Sequence, residues 1–199
     1  MPRGKSQRQA AGHSTGVPVL ILIDVQNDFV ERAWNSRAML SKCRTLLDGA
    51  RRARVPIVHV RRSYRADGLD VELPRLRRFA GDGWLVAEGS KGARSPEGLS
   101  EIEGELVVIK PRWSAFFQTE LDMLLRRLGA GTLVIAGLQT PNCIRATAYD
   151  AIALDYDAVV VSDATSARSE RVHEANLGDM AEIGVRVVTA EAALAILRS

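Results

Sequence analysis

The chain has 199 residues, 46% hydrophobic and 26% charged, the composition of one ordinary globular domain with a sizeable core. No stretch approaches the roughly 18 uninterrupted apolar residues of a membrane span, and no apolar run follows the N-terminal charges as in a secretory signal. The formal charge of +3 matches Arg3, Lys5 and Arg8 in residues 1–16, which hold no Asp or Glu; without them 24 basic residues face 24 acidic ones.

A formally neutral body disfavours a nucleic-acid or membrane partner despite a pI near 9.1. The clusters Arg51, Arg52 and Arg54, then Arg61, Arg62 and Arg65, then Arg75, Arg77 and Arg78 read as solvated faces. Two cysteines, Cys43 and Cys143, make no disulfide framework, so a reducing, cytoplasmic location is expected.

Residues 1–16 are polar and aperiodic and are expected to be a disordered tail, leaving residues 17–199 as a single domain. Gly12-His13-Ser14-Thr15-Gly16 has the spelling of a G-x-S-x-G nucleophile elbow, but no strand precedes it and the motif is set aside. Val17–Asp24 is a continuous apolar run ending in a carboxylate, the pattern of a strand buried on both faces. A helix is predicted over Ser36–Arg54, where Met39, Leu40, Cys43, Leu46, Leu47 and Ala50 recur at helical spacing. Pro56–Val60 is the second strand. From Arg61 to Glu105 the pattern dissolves into Gly, Pro, Ser and charges, a length that in a compact domain usually carries function.

Alternation then resumes. Strands are predicted at Leu106–Ile109, Thr132–Ala136, Ala158–Val161 and Val185–Val188. Helices are predicted at Thr119–Leu128, Asn142–Leu154, Glu170–Ile183 and Glu191–Leu197. Gly129, Gly131 and Gly184 stand where helices should stop. Six apolar strands alternating with helices predict a three-layer α/β/α sandwich around an open, mainly parallel sheet.

In such sheets ligands bind beyond the carboxyl ends of the strands. The first strand ends in Asp24, the third in Lys110, and the fourth runs through Gly137-Leu138-Gln139-Thr140-Pro141-Asn142 to Cys143. Each has a plain structural reading: Asp24 as a turn cap, Lys110 as a surface lysine, Cys143 as a small buried apolar residue like Cys43 on its helix stripe. Together they make chemical sense. A cation and a helix start lower a thiol pKa, a carboxylate takes its proton, and backbone N–H groups of the turn hold an oxyanion.

These residues lie in segments that resemble a known family. Leu22-Ile23-Asp24-Val25-Gln26-Asn27-Asp28-Phe29, Val108-Ile109-Lys110-Pro111-Arg112-Trp113-Ser114-Ala115-Phe116, Gly137–Ala148 and Val160-Val161-Ser162-Asp163-Ala164 are similar, in order, to the motifs of the isochorismatase-like hydrolases. That family includes nicotinamidases and ureidoacrylate amidohydrolases, and the resemblance covers roughly residues 17–197. It implies a Cys143-Asp24-Lys110 triad, with Cys143 as nucleophile, Asp24 as base and Lys110 steadying both. It further implies an oxyanion hole from the N–H groups of Gln139 and Cys143, and a cis Leu138–Gln139 bond. The Thr140–Pro141 bond is expected to be trans.

Nicotinamidases carry an Asp-x-His pair and a further His that hold a metal; the matching stretch here is His59-Val60-Arg61-Arg62-Ser63-Tyr64-Arg65. The resemblance therefore implies a metal-free and cofactor-free member, with His59 a core residue. True isochorismatases lack the nucleophilic cysteine, so Cys143 points to C–N bond hydrolysis of a small amide or ureide through a thioester. Vinyl-ether or ester hydrolysis on the same scaffold, and a catalytically silent binding protein, are the alternatives. Phe29, Tyr64, Trp84, Trp113 and Phe116 are candidate walls of a small-molecule pocket, and a homo-oligomer (dimer or tetramer) is implied by the relatives.

Overall fold

The computed structural model describes residues 16–79 and 85–199. The tail, with its Gly12–Gly16 motif, and Trp84 therefore lie largely or wholly outside the described residues. Six strands, β1 (Val17–Ile23), β2 (Ile57–Arg62), β3 (Leu106–Lys110), β4 (Ala130–Leu138), β5 (Asp157–Ser166) and β6 (Arg186–Val188), form one sheet. The order is β3-β2-β1-β4-β5-β6 and every pairing is parallel.

Alternate side chains of each central strand serve opposite faces, as a pleat requires. On β1, Leu20 and Leu22 enter one core while Val19, Ile21 and Ile23 enter the other. The first core is closed by α2 (Ser36–Ala53) and α7 (Ala190–Ile196) through Met39, Cys43, Leu46, Leu47, Ala190 and Ala193. The second is closed by α4 (Leu121–Arg127), α5 (Arg145–Ala153) and α6 (Glu170–Glu182) through Leu121, Leu125, Ala148, Ala151, Leu177 and Met180. The result is the expected three-layer sandwich.

Two differences from the sequence reading bear on function. The irregular 61–105 region contains a short helix, Leu73–Phe79, after a four-residue helix, Asn27–Val30, near the end of β1. The helix expected over Asn142–Leu154 is split: Thr140–Ile144 is a π-type turn, with Ile144 N–H donating to Gln139 O across five residues, and α5 starts at Arg145.

The chain leaves β1 toward β2 and β3, then returns through β4 to build the other half. The strand order thus reverses between β1 and β4, the place where open α/β sheets form a crevice. Dinucleotide-binding folds share this order but place a glycine-rich phosphate turn after the first strand. Here Asp24-Val25-Gln26-Asn27-Asp28 follows β1, two carboxylates that would repel a pyrophosphate. Among the described residues no helix is long and apolar enough to cross a membrane.

Candidate active site

The crevice is set by a glycine. Gly137 pairs with Ile23 across β1 and β4 at φ 114°, and a Cβ there would penetrate the Ile23 carbonyl oxygen. Only glycine lets the two strand ends approach this closely. The approach brings Asp24, the residue after Ile23, beside the turn that carries Cys143. Asp24 itself turns the chain at φ 50°, a left-handed conformation that Asp tolerates better than most residues. The Leu138–Gln139 peptide bond is cis; it is the only cis bond among the described residues, so Thr140–Pro141 is trans.

Three groups from three strand ends meet there. Lys110 Nζ lies 2.8 Å from Asp24 Oδ2 and 3.3 Å from Cys143 Sγ. Asp24 and Lys110 are 1% and 0% exposed, so their charges face each other rather than water. The Lys110–Asp24 contact is an ion pair without the direction of a hydrogen bond, and neither carboxylate oxygen receives a well-aligned donor among the described residues.

Cys143 does not open a helix, as its sequence position suggested; it lies inside the Thr140–Ile144 turn. Its thiol is held above the usual range, first by burial, then by the Asp24 charge, while Lys110 and Arg62 pull it down. The expected depressed pKa is thus not the resting state, because full burial outweighs the two cations. The turn is fixed from outside by His173 of α6, whose Nδ1 is 2.8 Å from Thr140 Oγ1.

The motif residues around Asp24, Lys110 and Cys143 are structural latches. Gln26 Nε2 donates to the Arg62 and Ala93 carbonyls, both at 2.8 Å, and its Oε1 accepts from Arg62 N–H at 3.0 Å. Asn27 Nδ2 donates to Lys91 O at 2.8 Å, and Asp28 Oδ2 accepts from Val86 N–H at 2.6 Å. Together they pin the 86–93 segment over the end of β1. Asp163 accepts from Ala190 N–H at 2.7 Å and so caps α7.

A cavity of about 400 Å³ opens over Asp24 and Cys143. Asp24, Cys143, Leu138 and Gln139 form its floor. The Gln139 N–H makes no backbone hydrogen bond among the described residues. Of the candidate walls, Phe29 and Trp113 line the cavity. Tyr64 does not: its hydroxyl is turned into a buried cluster with Arg62 and Glu72. Phe116 does not either; it stacks on Tyr156 at 6.0 Å in the second core.

The sequence reading missed the polar walls Arg32, Arg75, Asn142 and Arg168, and it missed Arg62. Arg62 was expected on a solvated face but is fully buried against the thiol. His59 is a core residue, 2.7 Å from Glu105 Oε2. Among the described residues no cluster of three or more His, Cys, Asp or Glu could hold a metal ion.

The isochorismatase domain model matches residues 18–192. A protein of Arabidopsis thaliana described as a probable inactive nicotinamidase is 39% identical over 178 residues, 85% of this chain and 91% of that one. The crystal structure of an isochorismatase family protein from Desulfovibrio vulgaris superposes with a TM-score of 0.85 at 44% identity, covering 92% of this chain and 100% of the other. N-carbamoylsarcosine amidase from Thermoplasma acidophilum superposes with a TM-score of 0.73 at 28% identity, covering 87% and 96%. The chain belongs to the isochorismatase family of hydrolases, related to nicotinamidases and amidohydrolases.

Proposed function

We propose that this hydrolase cleaves a C–N bond in a small amide or ureide, with Cys143 as nucleophile, Asp24 as general base and Lys110 as the cation between them. The observation that carries the reading is one ammonium 2.8 Å from the carboxylate and 3.3 Å from the thiol, beneath a cavity that Asp24 and Cys143 both line. The raised thiol pKa fits a proton that leaves only as attack begins. Asp24 takes the proton from Sγ while sulfur bonds to the carbonyl carbon, and the N–H groups of Gln139 and Cys143 hold the oxyanion. The C–N bond then breaks, Asp24 returns the proton to the leaving nitrogen, and a thioester remains. Water attacks the thioester, gives its proton to Asp24, and the thiol is regenerated as the acid leaves.

The cavity walls carry Arg32, Arg75 and Arg168, while among the described residues the one carboxylate in the lining, Asp24, already faces Lys110. That balance suits an amide or ureide bearing a carboxylate, which a guanidinium fork grips in two places. Nicotinamide, neutral and handled by metal-bearing relatives, is not the substrate we propose.

A panel of primary amides, ureides and carbamates, with and without a carboxylate, assayed for ammonia release, tests the reading. A carboxylate-bearing member should turn over, and rapid quenching should trap its acyl group on Cys143. Turnover that survives complete alkylation of Cys143 would instead indicate vinyl-ether or ester hydrolysis by acid–base chemistry alone.

A further inference from the structure

Two cations touch the Cys143 sulfur, and the triad accounts for one. Arg62 ends β2, is fully buried, and is in register with Lys110 on β3. Its Nη2 lies 3.9 Å from Cys143 Sγ and donates to the Arg112 carbonyl at 2.6 Å. The same carbonyl accepts from Lys110 Nζ at 3.1 Å. One backbone oxygen therefore clamps both cations with a nitrogen of each against the sulfur. On its other side, Arg62 Nη1 donates to the Tyr64 hydroxyl at 2.6 Å and pairs with Glu72, whose second oxygen accepts from Tyr64. Arg75 closes the shell, 3.9 Å from Glu72 and over the Tyr64 ring.

We propose that Arg62 is a second catalytic cation, which holds the Cys143 thiolate once its proton has moved to Asp24. The geometry supports this. Among the described residues Arg62 and Lys110 each place a nitrogen against Cys143 Sγ, whereas Arg75 meets Glu72 instead. Moving the proton from Sγ to Asp24 places the anion between these two cations. Without Arg62 the same anion would face Lys110 alone. Burial opposes the Arg62 charge, yet the neighbouring acidic groups, Asp24 and Glu72 among them, outweigh it and hold the guanidinium in its charged form. The plain alternative is structural: Arg62 merely ties Glu72, at the start of the Leu73–Phe79 helix, to the sheet.

The inference rests on Cys143 being the nucleophile, and its test reads the thiol directly, whether or not any amide is cleaved. The rate at which iodoacetamide alkylates Cys143 in the full chain would be followed against pH by peptide mass spectrometry. Glu72→Gln removes the anion that competes for Arg62 and should move the midpoint to lower pH. Arg62→Met combined with Glu72→Gln removes a balanced pair and should move it up by about one to three units, the usual effect of an opposite charge at this range. Arg62→Lys, which keeps the charge, should stay near the wild type. A structural tie predicts no such opposed shifts. An unmoved midpoint in Glu72→Gln overturns the proposal even if the double variant does not fold. Normal amide turnover with unmoved midpoints would sink Arg62 and leave the triad standing.

Discussion

Cys43 and Cys143 are both buried free thiols, yet they sit in opposite chemical worlds. Cys43 lies in the middle of α2, its sulfur 3.4 Å from Met39 Sδ and 3.3 Å from the Ala164 carbonyl. Burial pushes its pKa to about 12, and Asp163 adds to the rise, so at neutral pH it is inert. Cys143 is nearly as buried, at the edge of the cavity, and burial is again the largest influence on it. Around it, however, Lys110 and Arg62 offset part of that cost, and the Asp24 carboxylate sits against the same ammonium. Burial alone silences a thiol; what distinguishes Cys143 is the set of ionic groups delivered by the ends of β1, β2 and β3.

The largest effect that could break this comparison is Cys143→Ser. It should keep the circular dichroism of the parent and lose about 10⁴-fold or more in turnover, as loss of a nucleophile does elsewhere. Asp24→Asn should follow with about 10²–10⁴-fold, the worth of a positioned base. Near-normal rates in either variant would mean the site works by another route.

Gly137→Ala probes the approach of β1 to β4 rather than the chemistry. A Cβ driven into Ile23 O must shift the strand ends apart, at a cost of about 1–3 kcal/mol in stability. Because Asp24 is the next residue, kcat should fall as well, by up to about 10²-fold for a misplacement near 1 Å. A variant with unchanged melting temperature and kcat would show that the close approach is dispensable.

The smallest effect belongs to the other thiol. Cys43→Ala removes a sulfur from a closed core, worth about 1 kcal/mol, or about 2–4 °C in melting temperature for a domain of this size. Turnover should be unchanged. A loss of activity there would dissolve the contrast between the two cysteines.

Much of this was legible in the chain. The strands announce themselves as apolar runs, and Asp24, Lys110 and Cys143 each follow or end one, because a parallel sheet presents its sites at the carboxyl rim. The strand order was not legible, since it depends on which strands pair across the sheet and local pattern does not record that. Arg62 was also invisible: an arginine beside another arginine reads as surface. Its burial follows from Glu72, ten residues on, and from the Arg112 carbonyl, contacts that only folding brings together. Tyr64 and Phe116 were misplaced for a related reason, because an aromatic residue near a rim packs inward as readily as toward a ligand. Trp84 lies outside the described residues.

If Cys143, beside Asp24 and Lys110, is the reactive thiol of the site, competitive labelling will separate it from Cys43: a limiting amount of iodoacetamide at neutral pH, peptide mapping of both cysteines, and activity followed in the same samples. Alkylation of Cys143 alone is expected, with activity falling in step with its modification. Labelling of Cys43 at a comparable rate, or activity that outlasts full modification of Cys143, would contradict it.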